Sequence, residues 1–223
     1  MKLSPDQFNE LFNSNQLVLA FVGMSNVGKT YWSKKLTELD FHHINCDDCI
    51  EAKLAPELSA LGYAGIADVS RWMGQPYDEQ YPSNQQRYLD LERAVMEEVF
   101  NQIKEGLGRN TVIDTTGSVV HVGSDIAELL SHHALVISID ATENMKKEMF
   151  ERYIKEPKPV VFGAMFSQGE GETNLQALER CYPKLLDTRS TLYAQVADVQ
   201  IPRQDIRRDM TTQEFLDLVK RLL

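Results

Sequence analysis

One run of eight residues has the composition and spacing of a site for a phosphate chain. It fits the pattern G-x-x-x-x-G-K-[ST] and consists of Gly23, Met24, Ser25, Asn26, Val27, Gly28, Lys29 and Thr30. In such a loop, successive backbone N–H groups converge on phosphate oxygens, assisted by the positive end of the following helix. Lys29 is expected to reach the β- and γ-phosphates, and the Thr30 hydroxyl to hold Mg²⁺. The run therefore predicts a site for a nucleoside triphosphate with Mg²⁺.

The residues on either side of this loop predict the elements that must position it. Residues 17–22 form a continuous apolar run of the length that a buried parallel strand uses, and Trp32, Leu36 and Leu39 follow at helical spacing. A strand, a glycine-rich loop and a helix in this order are the context that distinguishes a phosphate site from a chance match. The alternative is a glycine-rich turn that precedes a helix, and the strand disfavours it.

Two acidic residues follow further predicted strands. Asp47 comes after a strand predicted at residues 41–45, and Asp114 ends a strand predicted at residues 111–114. In parallel α/β sheets, residues just past the carboxyl ends of strands line the ligand crevice. Asp114 is therefore predicted to hold the water shell of the metal, with a turn or helix-capping aspartate as the alternative. Asp47 is predicted to accept a hydroxyl proton, with a helix cap as the alternative.

The rest of the chain alternates apolar strands with helical patterns. Further strands are predicted at residues 134–140 and 199–201, and Pro183 is expected to break or kink the helix that begins near residue 173. The alternation predicts an α/β P-loop NTPase fold, with a parallel sheet of about five strands and helices on both faces. A chain of 223 residues with 43% hydrophobic composition suits a single domain over residues 1–223.

Two segments between these elements are less regular. Residues 56–83 are rich in glycine, proline and aromatic side chains and are predicted to form an inserted cap on the substrate side. Their aromatic residues Trp72, Tyr77 and Tyr81 either line the acceptor pocket or pin the insert to the domain. Residues 157–172 form a glycine-containing loop of the length that is typical of a lid.

Composition disfavours several other classes of protein. The net charge of −10 argues against binding of nucleic acid, because such proteins present a basic face. No apolar run approaches the length of a membrane span, and the first ten residues lack the pattern of a signal peptide. Three cysteines suit a reducing compartment. A cytoplasmic protein that is a monomer or a weak dimer is expected.

A metal site other than the magnesium site has one candidate. His42, His43, Cys46 and Cys49 bring four potential ligands into eight residues. Adjacent histidines on a strand point to opposite faces, and the chain has no second C-x-x-C to complete a structural zinc site. The pattern therefore favours structural roles for these residues over zinc.

From about residue 17 to residue 201 the chain resembles shikimate kinase and its nucleoside-monophosphate-kinase-like relatives, with the glycine-rich loop as the strongest part. The stretch D-D-C-I-E at residues 47–51 resembles the D-x-D-x-x-I-E of that family and places Asp47 at the proton-accepting aspartate. The stretch K-P-V-V at residues 158–161 is similar to the R-P-L-L that opens the family's lid. The resemblance therefore implies that Lys158 meets the transferring phosphate.

The resemblance also implies roles for three other residues. Arg152 falls where the family has an arginine that stacks on adenine, and complementing the helix dipole is its alternative. Arg189 opens an R-S-T-L-Y that resembles the R-x-x-L-Y whose arginine grips the shikimate carboxylate; a surface ion pair is its alternative. Gly117 stands in the place of the family's three-glycine substrate loop.

The chain departs from the family's pattern on the acceptor side. Asn45 replaces the first aspartate of D-x-D, Thr116 and Ser118 flank Gly117 in place of glycines, and Leu89 stands at a second carboxylate-binding arginine. The resemblance implies a small-molecule kinase that uses ATP and Mg²⁺ with a diverged acceptor site, and the identity of the acceptor stays open.

Two other classes remain as alternatives. Residues 26–30 (N-V-G-K-T) and 114–117 (D-T-T-G) are similar to elements of GTP-dependent switches, but no lysine has an aspartate two residues later, as guanine selection requires. An inactive kinase relative that binds nucleotide as a regulator is the other alternative.

Overall fold

The computed structural model describes residues 2–156 and 158–223, apart from the side chain of Ile66; the predicted start of the lid at residue 157 lies outside these residues. Five strands form one parallel sheet in the order β2-β3-β1-β4-β5. They are β1 (Val18–Val22), β2 (His42–Asn45), β3 (Thr111–Asp114), β4 (Leu135–Asp140) and β5 (Val199–Pro202). The predicted α/β P-loop fold with a parallel five-stranded sheet is confirmed.

Helices flank this sheet and begin where the sequence provides caps. Ser4, Thr173 and Thr211 each form a capping box with the residue three positions later. The helices are α1 (Pro5–Asn13), α2 (Lys29–Leu36), α3 (Cys46–Ala60), α4 (Ile66–Met73), α5 (Tyr81–Glu105), α6 (Ser124–His133), α7 (Glu143–Lys155), α8 (Asn174–Val196) and α9 (Thr212–Arg221). None of them, in the parts of the chain described, combines the length and the apolar character that crossing a bilayer requires.

The register of the central strands brings the predicted site together. Phe21 of β1 pairs with Asp114 of β3, and Asp114 in turn pairs with Asn45 of β2. Because all three strands are parallel, their carboxyl ends meet at the same edge of the sheet. The glycine-rich loop, the start of α3 and Asp114 therefore lie side by side.

Two helices each continue through a proline. α3 continues through Pro56 to Ala60, and α8 continues through Pro183 to Val196. Both prolines are exposed, so the carbonyl groups that lose a partner can bind water, while neighbours such as Leu54 and Leu185 are buried. The break expected at Pro183 does not occur, and α3 extends to Ala60 inside the segment predicted to be less regular.

The aromatic residues of the insert pack instead of lining the main cleft. Trp72 and Tyr81 are buried, and the hydroxyl of Tyr81 accepts a hydrogen bond from the backbone N–H of Phe162 at 2.8 Å. The same hydroxyl lies 2.7 Å from both the carbonyl oxygen of Val160 and Gln85 Oε1, and these two acceptors share its one proton. Tyr77 is half-exposed beside Phe166. These contacts attach the insert to the loop at residues 158–172 and therefore favour a packing role for the aromatic residues over a role in lining the acceptor pocket.

Candidate active site

The loop between β1 and α2 has the backbone geometry that a phosphate site needs. Gly23 has a φ of +141°, and a Cβ atom there would lie 2.8 Å from the carbonyl oxygen of Ile139. Gly28 is the N-cap of α2 with a φ of +114°, and no side chain caps this helix. Its first N–H groups therefore have no intrahelical or side-chain partner and can bind an anion.

Lys29 lies inside this loop. The side chain is 7% exposed, and its Nζ atom donates to the carbonyl oxygens of Gly23 at 2.9 Å and Met24 at 3.0 Å. Burial lowers the pKa of the ammonium group, and the nearby carboxylates of Asp114 and Asp47 oppose this effect. The lysine is thus held at the loop by weak acceptors that a phosphate oxygen can replace.

Asp114 is a buried carboxylate with an unsatisfied oxygen. It is 3% exposed, and its Oδ2 atom has no hydrogen-bond partner among the described residues. The Nε2 atom of His43 lies 3.8 Å from this oxygen and is also unpaired. A buried carboxylate oxygen without a partner is typical of a position that binds ordered water or a hydrated cation. The group therefore fits the predicted magnesium site better than a helix cap.

Asp47 does not cap α3, because the side chain of Asn45 does so. The side chain of Asn45 is the N-cap of α3 and accepts from the N–H groups of Asp47 at 3.1 Å and Asp48 at 3.4 Å. Asp47 instead lines the main cleft, where Tyr88 donates its hydroxyl to Oδ1 at 3.3 Å. Burial raises the pKa of Asp47, Lys29 opposes the rise, and Asp114 adds to it. The helix-cap alternative for Asp47 is wrong.

Arg189 is a buried cation rather than a surface partner. It is 6% exposed, its Nη2 atom donates to the carbonyl oxygen of Val161 at 2.8 Å, and its Nε atom donates to His121 Nε2 at 3.3 Å. Burial and the positive charge of Arg189 lower the pKa of His121 to about 4, which keeps its ring neutral. No carboxylate of the described chain lies within ion-pair distance of Arg189. The surface-pair alternative is therefore wrong, and a buried guanidinium without a carboxylate partner can bind an anion in the cleft.

The remaining predicted residues surround the same space. Lys158 and Arg152 are exposed at the mouth of the cleft, and the Nζ atom of Lys158 donates to Asn26 Oδ1 at 3.4 Å. Gly117 lies against the arginine, since a Cβ atom there would be 3.5 Å from Arg189 Nη1. The loop at residues 158–172 thus contacts the glycine-rich loop through Lys158.

A single cleft of about 560 Å³ collects most of these residues. Its wall includes Met24, Ser25, Asn26, Gly28, Lys29, Thr30, Asp47, Gly117, Arg152, Lys158 and Arg189. Gly23, Val27 and Asp114 are not part of the wall; Val27 and Asp114 are buried, and the carboxylate of Asp114 opposes the lowering of the Lys29 pKa. The structure therefore brings the two predicted halves, nucleotide and acceptor, into one continuous space.

Sequence reasoning did not assign a role to Glu92. This residue lies on α5, is 0% exposed and accepts hydrogen bonds from the hydroxyl groups of Thr116 and Ser118. A signal was present, because Glu92 is a charged residue on the apolar stripe that Tyr88 and Val95 mark at helical spacing. A carboxylate on a buried helix face requires a partner.

The strand order and the loop between β1 and α2 define a P-loop fold of the shikimate kinase type, and comparison with solved structures supports this fold. The chain is similar to a shikimate kinase from Acinetobacter baumannii in complex with shikimate, with a TM-score of 0.57 and 17% identity over 94% of this chain and 92% of that chain. Shikimate kinases from Bacteroides thetaiotaomicron (TM-score 0.56, 15% identity, 92% and 97% coverage) and Aquifex aeolicus (TM-score 0.54, 12% identity, 90% and 94% coverage) are similar as well.

These likenesses concern the fold. No family model matches the sequence, and no curated protein matches it. The expected shikimate kinase-like P-loop fold is therefore confirmed, whereas the reaction and the acceptor are matters for proposal.

Proposed function

We propose that this protein transfers the γ-phosphoryl group of ATP to a hydroxyl group of a small anionic molecule. The observation that supports this most directly is the arrangement of Lys29, Asp47 and Arg189 around one cleft. The first suits a phosphate chain, the second a hydroxyl proton and the third an anionic group on the acceptor. A phosphate-binding loop by itself would support nucleotide binding but would not indicate which reaction the protein catalyses.

The residues of the nucleotide half fit Mg²⁺ and ATP. The uncapped start of α2 and the Lys29 ammonium offer donors for phosphate oxygens, and Asp114 offers an unpaired carboxylate oxygen beside them. Bound Mg²⁺ would neutralise charge on the phosphate oxygens, with Thr30 and Asp114 as the residues that hold it and its water. Arg152 at the mouth of the cleft is proposed to contact the base.

The acceptor half is proposed to work through Asp47. Tyr88 donates to Oδ1, which leaves Oδ2 to accept the proton of the attacking hydroxyl. The buried surroundings that raise the pKa of Asp47 make it a stronger proton acceptor than an exposed aspartate. Arg189 and Gly117 would orient the acceptor, and Lys158 would contact the transferring phosphate when residues 157–172 act as a lid over the cleft.

The test is Mg²⁺-dependent formation of ADP in the presence of a panel of hydroxylated acids. Asp47→Asn should lower kcat by about 10²- to 10⁴-fold, because the proton acceptor is lost. The matched control is Asp48→Asn, which changes an exposed aspartate at the next position and should leave turnover unchanged.

Two results would contradict the proposal. Full turnover by Asp47→Asn would remove Asp47 from the reaction. Binding of Mg-ATP without ADP formation for any acceptor would favour the regulatory alternative, and strict preference for GTP would favour the switch.

A further inference from the structure

Two side chains at the start of α5 bind the backbone of the predicted lid. Tyr81 and Gln85 lie about one helical turn apart, so they share a face of α5. The Tyr81 hydroxyl accepts from the N–H of Phe162 at 2.8 Å, and Gln85 Oε1 accepts from the N–H of Gly163 at 2.8 Å. The same hydroxyl lies 2.7 Å from the carbonyl oxygen of Val160. One helix therefore binds three backbone groups within a short stretch of the lid.

Phe162 anchors the same stretch of the lid by packing. Its side chain is 0% exposed. The centroid of its ring lies 6.0 Å from that of Tyr153 on α7, 6.1 Å from that of Tyr182 on α8 and 6.4 Å from that of Tyr81 on α5. A buried aromatic ring is among the largest apolar contributions that one residue makes to packing. The lid is therefore attached to three helices, and its hydrogen bonds to α5 lie next to a buried anchor.

The attached stretch continues into the wall of the cleft. Lys158 and Val160 line the cleft, and Lys158 Nζ donates to Asn26 Oδ1 of the glycine-rich loop at 3.4 Å. The lid therefore reaches across the mouth of the nucleotide half. Tyr81 and Gln85 are not part of the cleft wall. These two side chains thus set the position of the lid without contacting the space that a nucleotide would occupy.

We infer that Tyr81 and Gln85 form a latch that keeps the lid closed and thereby limits how fast nucleotide enters and leaves the cleft. The inference rests on the nucleotide half of the proposed function and does not depend on the acceptor. A latched lid is open for only a small fraction of the time, with or without nucleotide. Weakening the latch raises that fraction by the same factor in both states, because the latch does not contact the ligand. Entry and release of nucleotide then accelerate together, and the affinity stays the same.

The test measures exchange of mant-ADP, a fluorescent ADP analogue, in the presence of Mg²⁺ by stopped-flow fluorescence. Association is followed at several protein concentrations, and release is followed after a chase with excess Mg-ADP. Tyr81→Phe should raise both rate constants by at least about fivefold, the factor that corresponds to one buried hydrogen bond, and should leave Kd within about twofold of the wild-type value. Gln85→Met keeps the length of the side chain but removes the acceptor, and should have the same effect.

The matched control is Tyr77→Phe. This substitution also removes a tyrosine hydroxyl from the insert, at a half-exposed residue that packs on Phe166 of the same loop. Both rate constants should stay at the wild-type values in this variant.

Each outcome decides the inference. Parallel acceleration of association and release at unchanged Kd supports the latch. Unchanged rate constants in Tyr81→Phe overturn the latch and leave the proposed transfer standing. Faster release without faster association also overturns it, because that pattern means that the substitution damages the nucleotide site itself. If mant-ADP does not bind the wild type, the nucleotide half of the proposed function fails and the latch fails with it. If Tyr81→Phe does not fold, Gln85→Met decides the same question.

Discussion

Replacing Glu92 with glutamine should change how stability depends on pH, and the size of the effect follows from its burial. Burial raises the pKa of Glu92 from 4.5 to about 7, against hydrogen bonds from Ser118 and Thr116 that lower it. Between these two pH values the folded protein holds a proton that the unfolded chain has lost. The free energy of unfolding therefore falls as pH rises through this window, by about 1.4 kcal/mol per pKa unit or about 3 kcal/mol in total.

The difference between wild type and Glu92→Gln isolates this one group, because glutamine does not titrate and every other group is shared. Urea unfolding of both proteins at several values between pH 4 and pH 8 gives the two free energies, with equal m-values as the check on two-state behaviour. Wild type should lose about 3 kcal/mol relative to Glu92→Gln over this range. Glu97→Gln, at an exposed site on the same helix, controls for loss of a surface charge.

A flat difference curve would refute the account of burial at Glu92. A difference that rises with pH would have a more specific meaning. It would show that the hydrogen bonds from Thr116 and Ser118 outweigh desolvation and hold the pKa below 4.5.

Two further substitutions test the loop and the insert. Gly23→Ala should lower the free energy of unfolding by about 1–3 kcal/mol and weaken Mg-ATP binding in calorimetry, because its Cβ atom would overlap the carbonyl of Ile139. Gly62→Ala, also at positive φ but in open space, is the control. Equal losses of stability in the two variants would contradict the steric argument. Tyr81→Phe should leave the N–H of Phe162 without its acceptor and remove a donor from the carbonyl of Val160, which should cost about 1–3 kcal/mol and speed chymotryptic cleavage after Phe166 in the same loop. Tyr77→Phe is the half-exposed control, and identical cleavage rates would show that the Tyr81 hydroxyl does not hold this loop.

Much of the fold was predictable because its signals are local. β1 lies in a continuous apolar run and β4 in one interrupted by Ser138, and the capping boxes at Ser4, Thr173 and Thr211 lie within four residues of sequence. Where a local signal competes with packing, prediction fails. Pro56 and Pro183 have strong helix-breaking character, yet buried neighbours on the opposite face hold α3 and α8 intact.

The candidate site likewise has a part that local sequence predicts and a part that depends on tertiary packing. The sequence by itself determined the phosphate-binding loop, since a run of glycines, Lys29 and Thr30 between a strand and a helix specifies backbone geometry within eight residues. It left Asp47 and Arg189 with two roles each and gave no role to Glu92. Only the tertiary structure excluded the helix cap for Asp47 and the surface position for Arg189, because burial and pairing depend on partners far along the chain. These partners are Tyr88 for Asp47, Val161 for Arg189, and the Thr116 and Ser118 hydroxyls for Glu92. A side chain's charge and proton are set by what surrounds it in space, and for these residues the surroundings come from other elements.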